Sequence, residues 1–287
     1  MYAFNVLICL MLDFNHGGPC LAAELRGGLG NWLYISVETA LAAAATNHTL
    51  ALPSVLHAHF NLPADVKRVT PECQRIHHMQ HTSESPRLRT MATRALGEAT
   101  FAQARAKMFR HLFASPRAPS SPALPKVGIA VHLRTVTDVH CKTHTDIRSC
   151  RESCIRSAVL VDMARIIKTT LPHRPIVVMS DSRKVSKHFI SQFGTGEDIH
   201  DESWLVNASD HSGLSKAAGN RAIHLWIAFA LAKVRVASSP SSFSKSALLS
   251  VPNPNSRDYV VDPRCAKAHR SDGDLFTYRK ASLTELV

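Results

Sequence analysis

Short, almost wholly apolar runs recur along the second part of the chain, each tied to a helical stretch, and this alternation constrains the fold most. Val127-Gly128-Ile129-Ala130-Val131 opens a strand read through to Arg134, Pro175-Ile176-Val177-Val178-Met179 is a second, and Val234-Arg235-Val236-Ala237 a third. Runs without polar alternation fit strands buried on both faces. The second leads through Ser180-Asp181-Ser182 into a helical stretch near residues 184–193. A strongly apolar helix over about 221–232 precedes the third, and a helix through Ala247 and Leu248 follows it. Strands alternating with helices imply a parallel sheet covered on both sides.

The first part reads the same way. Leu21 to Leu25 forms a short strand, Gly27-Gly28-Leu29-Gly30 a turn, and about Trp32 to Ala45 a helix with Leu33, Val37, Ala40, Leu41 and Ala44 on one face. Thr49–Leu52 is a second strand, ending at Pro53. This is a βαβ unit with glycines at its first turn, but not the dinucleotide fingerprint, whose third glycine would fall at Leu33. Residues 57–81 carry His57, His59, His77, His78 and His81 without metal-site spacing and read as loop. The Pro/Ser stretch from Ser115 to Pro125 suits neither helix nor central strand. The organisation expected is a signal or anchor remnant over 1–19, a Rossmann-like domain over 20–114, a linker over 115–126, and a second Rossmann-like domain over 127–287. The class is α/β, with two parallel sheets facing a central cleft.

The chemistry-bearing residues collect at strand ends, where open α/β sheets bind ligands. His132 and Arg134 share one face of their strand, and Arg134 is suited to grip a diphosphate through its fork of donors; an ordinary surface ion pair is the plainer alternative. Asp138 and Asp181 lie near two such ends, and the serine loop 238–244 precedes a helix, offering hydroxyls and free backbone N–H groups. Taken alone, that loop reads more readily as a plain N-cap and turn.

The net charge of +12 favours an anionic partner. Aromatic residues are only 6% and no zinc finger, basic helix or RNA-binding motif is present, so a sugar nucleotide fits as well as nucleic acid. Tyr2 to Leu12 is mostly apolar, interrupted by Asn5, and shorter than the ~20 residues that span a bilayer; it reads as a signal core or anchor stump, with a buried segment of the fold as the alternative. Of seven cysteines, setting Cys9 aside leaves six, compatible with lumenal disulfides of unspecified pairing. His140, Cys141, His144, Cys150 and Cys154 match no standard zinc spacing, and a disulfide among them is at least as good a reading. Asn47-His48-Thr49 and Asn207-Ala208-Ser209 are glycosylation sequons of a kind that also arises by chance. Gly-x-Ser-x-Gly, Walker and His-Glu-x-x-His motifs are missing, which argues against the hydrolases, NTPases and proteases that use them.

In combination these residues resemble the GDP-fucose protein O-fucosyltransferases, within the wider fucosyltransferase group. Gly27-Gly28-Leu29-Gly30-Asn31 matches the family's Gly-x-x-Gly-Asn turn, and Asn47-His48-Thr49-Leu50 with Pro53 follows at its spacing. His132-Leu133-Arg134 with Asp138 matches His-Leu-Arg-x-x-x-Asp, Ser180-Asp181-Ser182 a Thr/Ser-Asp-Ser strand end, and Ser241-Ser242-Phe243 a Ser-Ser-Phe loop. The likeness spans roughly residues 20–262. It departs at Val139, where the family usually has Trp, and at His224, where it often has an acidic residue.

The resemblance implies a GT-B fold, GDP-fucose as donor, no metal, and inverting transfer of fucose to a Ser/Thr hydroxyl of a protein. It assigns Arg134, Asn31 and Asp138 to catalysis, and Gly28, Gly30, Asn31, His132, Arg134, Asp181, Ser241, Ser242 and Phe243 to donor binding. A glycan hydroxyl is the alternative acceptor; an inactive fucosyltransferase-like binding protein and a polyanion-binding module are the non-enzymatic alternatives. The partner expected is a glycoprotein or glycan rather than nucleic acid, in the Golgi or endoplasmic reticulum lumen, with the N-terminus available for membrane anchoring.

Overall fold

Residues 20–25, 28–76, 85–117, 128–133, 161, 163–165, 167–168, 175–180, 183–194, 198–202, 216–238, 241–251, 257–261 and 279–280 are described by a computed structural model of the chain. In the first half the order is β1 (Cys20–Ala23), α1 (Leu29–Thr46), β2 (Thr49–Leu52), α2 (Ser54–His59), β3 (Lys67–Arg68), β4 (Gln74–Ile76), α3 (Pro86–Ala95) and α4 (Phe101–Phe113). The second half holds β5 (Ile129–Leu133), β6 (Ile176–Ser180), α5 (Arg183–Ile190), β7 (Ile199–Asp201), α6 (Lys216–Leu231), β8 (Val234–Ser238), α7 (Ser242–Ser250), β9 (Arg257–Val261) and β10 (Arg279–Lys280).

The apolar runs become the strands of parallel sheets, as expected of the α/β class. The first sheet has the order β3-β2-β1-β4, with every pairing parallel. The second has the order β10-β9-β8-β5-β6-β7, parallel except for β10 against β9. Central strands β2, β5 and β6 are buried throughout, which is why they lack polar alternation. From β5 the chain moves outward to β6 and β7, then returns to β8 on the other side of β5. The topological switch point therefore lies between the carboxyl ends of β5 and β8.

The two halves share one apolar core rather than standing apart. Leu33 and Val37 of α1 and Phe109 and Phe113 of α4 pack in the same buried cluster as Trp226 and Phe229 of α6 and Ala247 and Leu248 of α7. Phe60 meets Phe113 and Trp226 edge-on, with ring centroids at 4.9 and 5.4 Å, and the Trp226 indole donates to Ser246 Oγ at 2.9 Å. Alternation along β5 sends Ala130 to this core, and Ile129, Val131 and Leu133 to a second one with Val178 and Phe189.

Three boundaries depart from the sequence reading. Residues 57–81 are not simply loop: α2 runs to His59, and β3 and β4 follow. Their signal was hidden because β3 is an exposed Lys-Arg pair and β4 only three residues long. A disulfide, Cys20–Cys73, brings the Cα atoms at the start of β1 and just before β4 to 4.7 Å and closes a 53-residue separation. Helix α1 begins at Leu29, so Gly30 belongs to the helix and not the turn. Its alanine-rich body favours helix, and Asn47 ends it with φ 55°, a left-handed conformation asparagine tolerates. Strand β5 starts at Ile129 rather than Val127, and Arg134 lies outside the described residues.

Arg235, second residue of β8, ties together the amino-terminal edge of the second sheet, opposite the switch point. Its buried guanidinium grips Asp258 of β9 through two 2.7 Å hydrogen bonds and also donates to the carbonyls of Ala230 and Val251. Those carbonyls belong to the C-terminal ends of α6 and α7, so one cation serves both helix dipoles. Among the described residues no helix is long and apolar enough to cross a membrane.

Candidate functional site

Two helices point their N-termini at the switch point, and neither carries an acidic residue in its first turn. Helix α1 starts after β1 with Gly28 as a cap that supplies no side-chain acceptor, so its first N–H groups are not covered by a cap hydroxyl. Helix α7 starts after β8 with Ser241 as its cap, whose Oγ accepts from the Ser244 N–H at 3.3 Å.

The two first turns touch. Ser242 Oγ donates to Asn31 Oδ1 at 2.8 Å. At Gly30 an added Cβ would lie 2.3 Å from the Phe243 nitrogen, 2.5 Å from the Ser242 carbonyl carbon and 2.6 Å from Ser242 Oγ. Only a residue without a side chain lets the helices approach this closely. Gly28 differs, since a Cβ there would meet nothing within 4 Å. Because Asn31 is engaged through its carbonyl oxygen, its amide N–H groups are left as donors.

His132, near the end of β5, completes the described group. Its ring lies tilted on Phe243, centroids 4.8 Å apart, and meets Phe229 edge-on at 6.2 Å. Its Nδ1 is 3.4 Å from Ser241 Oγ, which is itself 3.1 Å from Ser244 Oγ. The imidazole is 7% exposed, so it is held by packing rather than by solvent. Thus Gly30, Asn31, His132, Ser241, Ser242 and Phe243 come together, with Gly28 at the start of the same turn. Arg134, Asp138 and Asp181 lie outside the described residues, as do His140, Cys141, His144, Cys150 and Cys154. Among the described residues no three His, Cys, Asp or Glu side chains gather to hold a metal.

One to two turns behind this group lies a charged cluster the sequence reading missed. Arg105 of α4 donates to Glu38 of α1 at 2.6 Å, with Glu38 almost wholly buried. Burial, and then the nearby Arg105 cation, hold the Lys245 amine of α7 below the usual lysine range. Burial also pushes the Tyr34 phenol of α1 upward, against the pull of Arg105. The signal available was Glu38 beside Val37 on the apolar face of α1, a place where a carboxylate needs a partner. His224, noted above for replacing an acidic residue, packs edge-on against His59 of α2 with centroids at 5.9 Å. It bridges the halves.

No protein-family model matches the chain, and no curated protein matches it either. Solved structures do. The fucosyltransferase NodZ from Bradyrhizobium is 15% identical, over 85% of this chain and 96% of its own, with a TM-score of 0.45. A variant of FUT1 from Arabidopsis thaliana in complex with GDP is 12% identical, over 91% and 74%, with a TM-score of 0.49. POFUT1 in complex with GDP is 12% identical, over 84% and 97%, with a TM-score of 0.49.

Proposed function

We propose that the chain is an inverting glycosyltransferase of GT-B type that moves fucose from GDP-fucose to a Ser/Thr hydroxyl of a protein. The observation that carries this reading is the meeting of the α1 and α7 N-termini through Asn31 and Ser242 at the switch point of the second sheet. Paired helix N-termini without acidic residues favour a dianionic group, and a diphosphate supplies one. Two of the resembling motifs, Gly27–Asn31 and Ser241–Phe243, contain these residues.

The chemistry follows from where charge develops. The acceptor oxygen attacks the anomeric carbon of fucose from the face opposite GDP. The C–O bond to the diphosphate breaks as the new glycosidic bond forms, and the acceptor proton is lost. Negative charge grows on the departing β-phosphate, so donors already aimed there lower the barrier. Arg134 supplies the main cation, with Asp138 orienting it. The Ser241 and Ser242 hydroxyls and the α7 N-terminus add neutral donors. Asn31 presents its amide from the opposite half, to the β-phosphate or the acceptor hydroxyl. His132, its ring tilted on Phe243, forms a wall beside the nucleotide, and Asp181 belongs to the same donor-binding set. The disulfide Cys20–Cys73 supports an oxidising compartment, the lumen of the secretory pathway.

The deciding experiment measures binding and hydrolysis of GDP-fucose, with GDP-mannose and UDP-galactose as controls, on the wild type and Arg134→Ala. Selective binding with slow GDP release, both lost in the variant, is the expected result. Folded protein that binds none of the three nucleotides would overturn the reading.

A further inference from the structure

Helices α3 and α4 enclose an open groove of about 490 Å³, lined by Arg89, Thr90, Thr93, Arg94, Glu98 and Phe101. It is separate from the group built around Asn31 and Ser242. Its polar atoms are sorted in a particular way. The Arg89 guanidinium lies 5.2 Å from the centroid of the Phe101 ring, and Arg105 lies 4.9 Å from it. Stacking uses the face of a guanidinium and leaves the in-plane N–H edge for a carboxylate. Among the described residues neither Arg89 nor Arg94 has a side-chain hydrogen-bond acceptor, while Glu98, the carboxylate of the groove, is taken by Lys107 at 3.0 Å.

The hydroxyls add the second half of the argument. Thr90 Oγ1 donates to the Pro86 carbonyl at 3.0 Å and Thr93 Oγ1 to the Arg89 carbonyl at 2.7 Å. Their hydrogens are spent on the helix, so they present only acceptor lone pairs. The groove therefore combines guanidinium forks that have no side-chain acceptor among the described residues with a row of acceptors that includes Glu98. A ligand that satisfies both must carry carboxylates and also hydroxyl donors. Phosphate oxygens accept and do not donate, and would face Glu98. Nucleic-acid bases would need an open ring face, and the Phe101 ring is already approached by Arg89 and Arg105. Acidic peptides bring carboxylates but few hydroxyls.

We propose that the α3–α4 groove binds a carboxylate-bearing oligosaccharide, a chain of uronic acid residues. The carboxylates meet Arg89 and Arg94, and the ring hydroxyls donate to Thr90, Thr93 and Glu98. Binding needs no nucleotide and stands apart from the transfer chemistry.

The test is calorimetric titration of the full chain, without nucleotide, with trigalacturonate, neutral maltotriose and triglutamate. Variants are Arg94→Gln, the Arg89→Gln/Arg94→Gln pair and Thr93→Val, with melting temperature as the check on folding. Trigalacturonate should bind, weaken roughly tenfold in Arg94→Gln and further in the pair, as charge-assisted hydrogen bonds are lost. Thr93→Val should weaken trigalacturonate alone, and maltotriose should not bind. Unchanged trigalacturonate affinity in a folded double variant would overturn the proposal. So would triglutamate binding as tightly as trigalacturonate, which would mark the groove as a site for acidic peptide.

Discussion

Ser242 Oγ donates to Asn31 Oδ1 at 2.8 Å, joining the first turns of two helices that come from different sheets. The bond orients both groups. It occupies the Asn31 carbonyl and leaves the amide as donor, and it lies beside Gly30, where the helix backbones approach closely. Asn31→Asp tests what this junction is for. A carboxylate still accepts from Ser242 and suits two helix N-termini, so stability should rise by about 0.3–1 kcal/mol. The same charge repels a diphosphate, so GDP affinity measured by calorimetry should fall at least about tenfold. Equal GDP affinity in the variant would detach Asn31 from phosphate binding.

Gly30→Ala probes the approach itself. The new Cβ meets backbone atoms of Ser242 and Phe243, which cannot swing aside as a side-chain tip would. Separating α1 from α7 should cost about 1–3 kcal/mol and abolish GDP binding. Gly28→Ala, with nothing in the way, is the control, and its effect in denaturant melts should be much smaller.

The Arg235–Asp258 pair should behave as a buried ion pair does. Asp258→Ala leaves the guanidinium buried against two helix C-termini without its countercharge, at a cost of about 3–5 kcal/mol in urea unfolding. Replacing both partners with apolar residues, Arg235→Met with Asp258→Leu, should recover much of that loss. A double variant as unstable as Asp258→Ala would show that losing the hydrogen bonds to Ala230 and Val251 costs as much as leaving the charge uncompensated.

Two histidines set an acid limit. Burial, with Lys107 adding to it and Asp65 opposing it, holds the His111 imidazole below its ordinary value of 6.5, and its Nε2 is buried with no hydrogen-bond partner among the described residues. His224 is held below 6.5 by burial and then by His59. The unfolded chain takes up these protons more readily than the folded one. Their stabilising contribution is therefore complete above pH 6.5 and drains away as the pH falls below it. Melting temperature should be level above neutrality and decline below pH 6.5. The combination of His111→Phe with His224→Gln should make that decline shallower; an identical slope in the variant would assign the acid sensitivity to other groups.

Much of the fold was legible because the central strands are buried on both faces. Thr49–Leu52 is seen at its expected bounds, and β6 and β8 each shift or extend by one residue. The serine loop was recognised as a helix start, and α7 does begin at Ser242. What stayed hidden depends on distance along the chain. Nothing local to Gly30 says that Ser242 will sit against it, and nothing near Glu38 says that its partner is Arg105, 67 residues away. Strands β3 and β4 escaped for the opposite reason: they are too short to show a period, and their place in the sheet comes from β2 and β1. His224 was readable as a departure from the family pattern, but its contact with His59 belongs to the packing of α6 on α2.

The 211-residue separation between Asn31 and Ser242 has a consequence for biosynthesis. During translation α1 emerges long before the serine loop does, and until residues 241–250 have been made its first turn lacks its Ser242 contact. Contacts this remote in sequence are among the slower ones to form. The junction of the two helix N-termini is therefore completed late, at α7, and any ribosome-released fragment stopping short of Ser241 would lack the serine side of it.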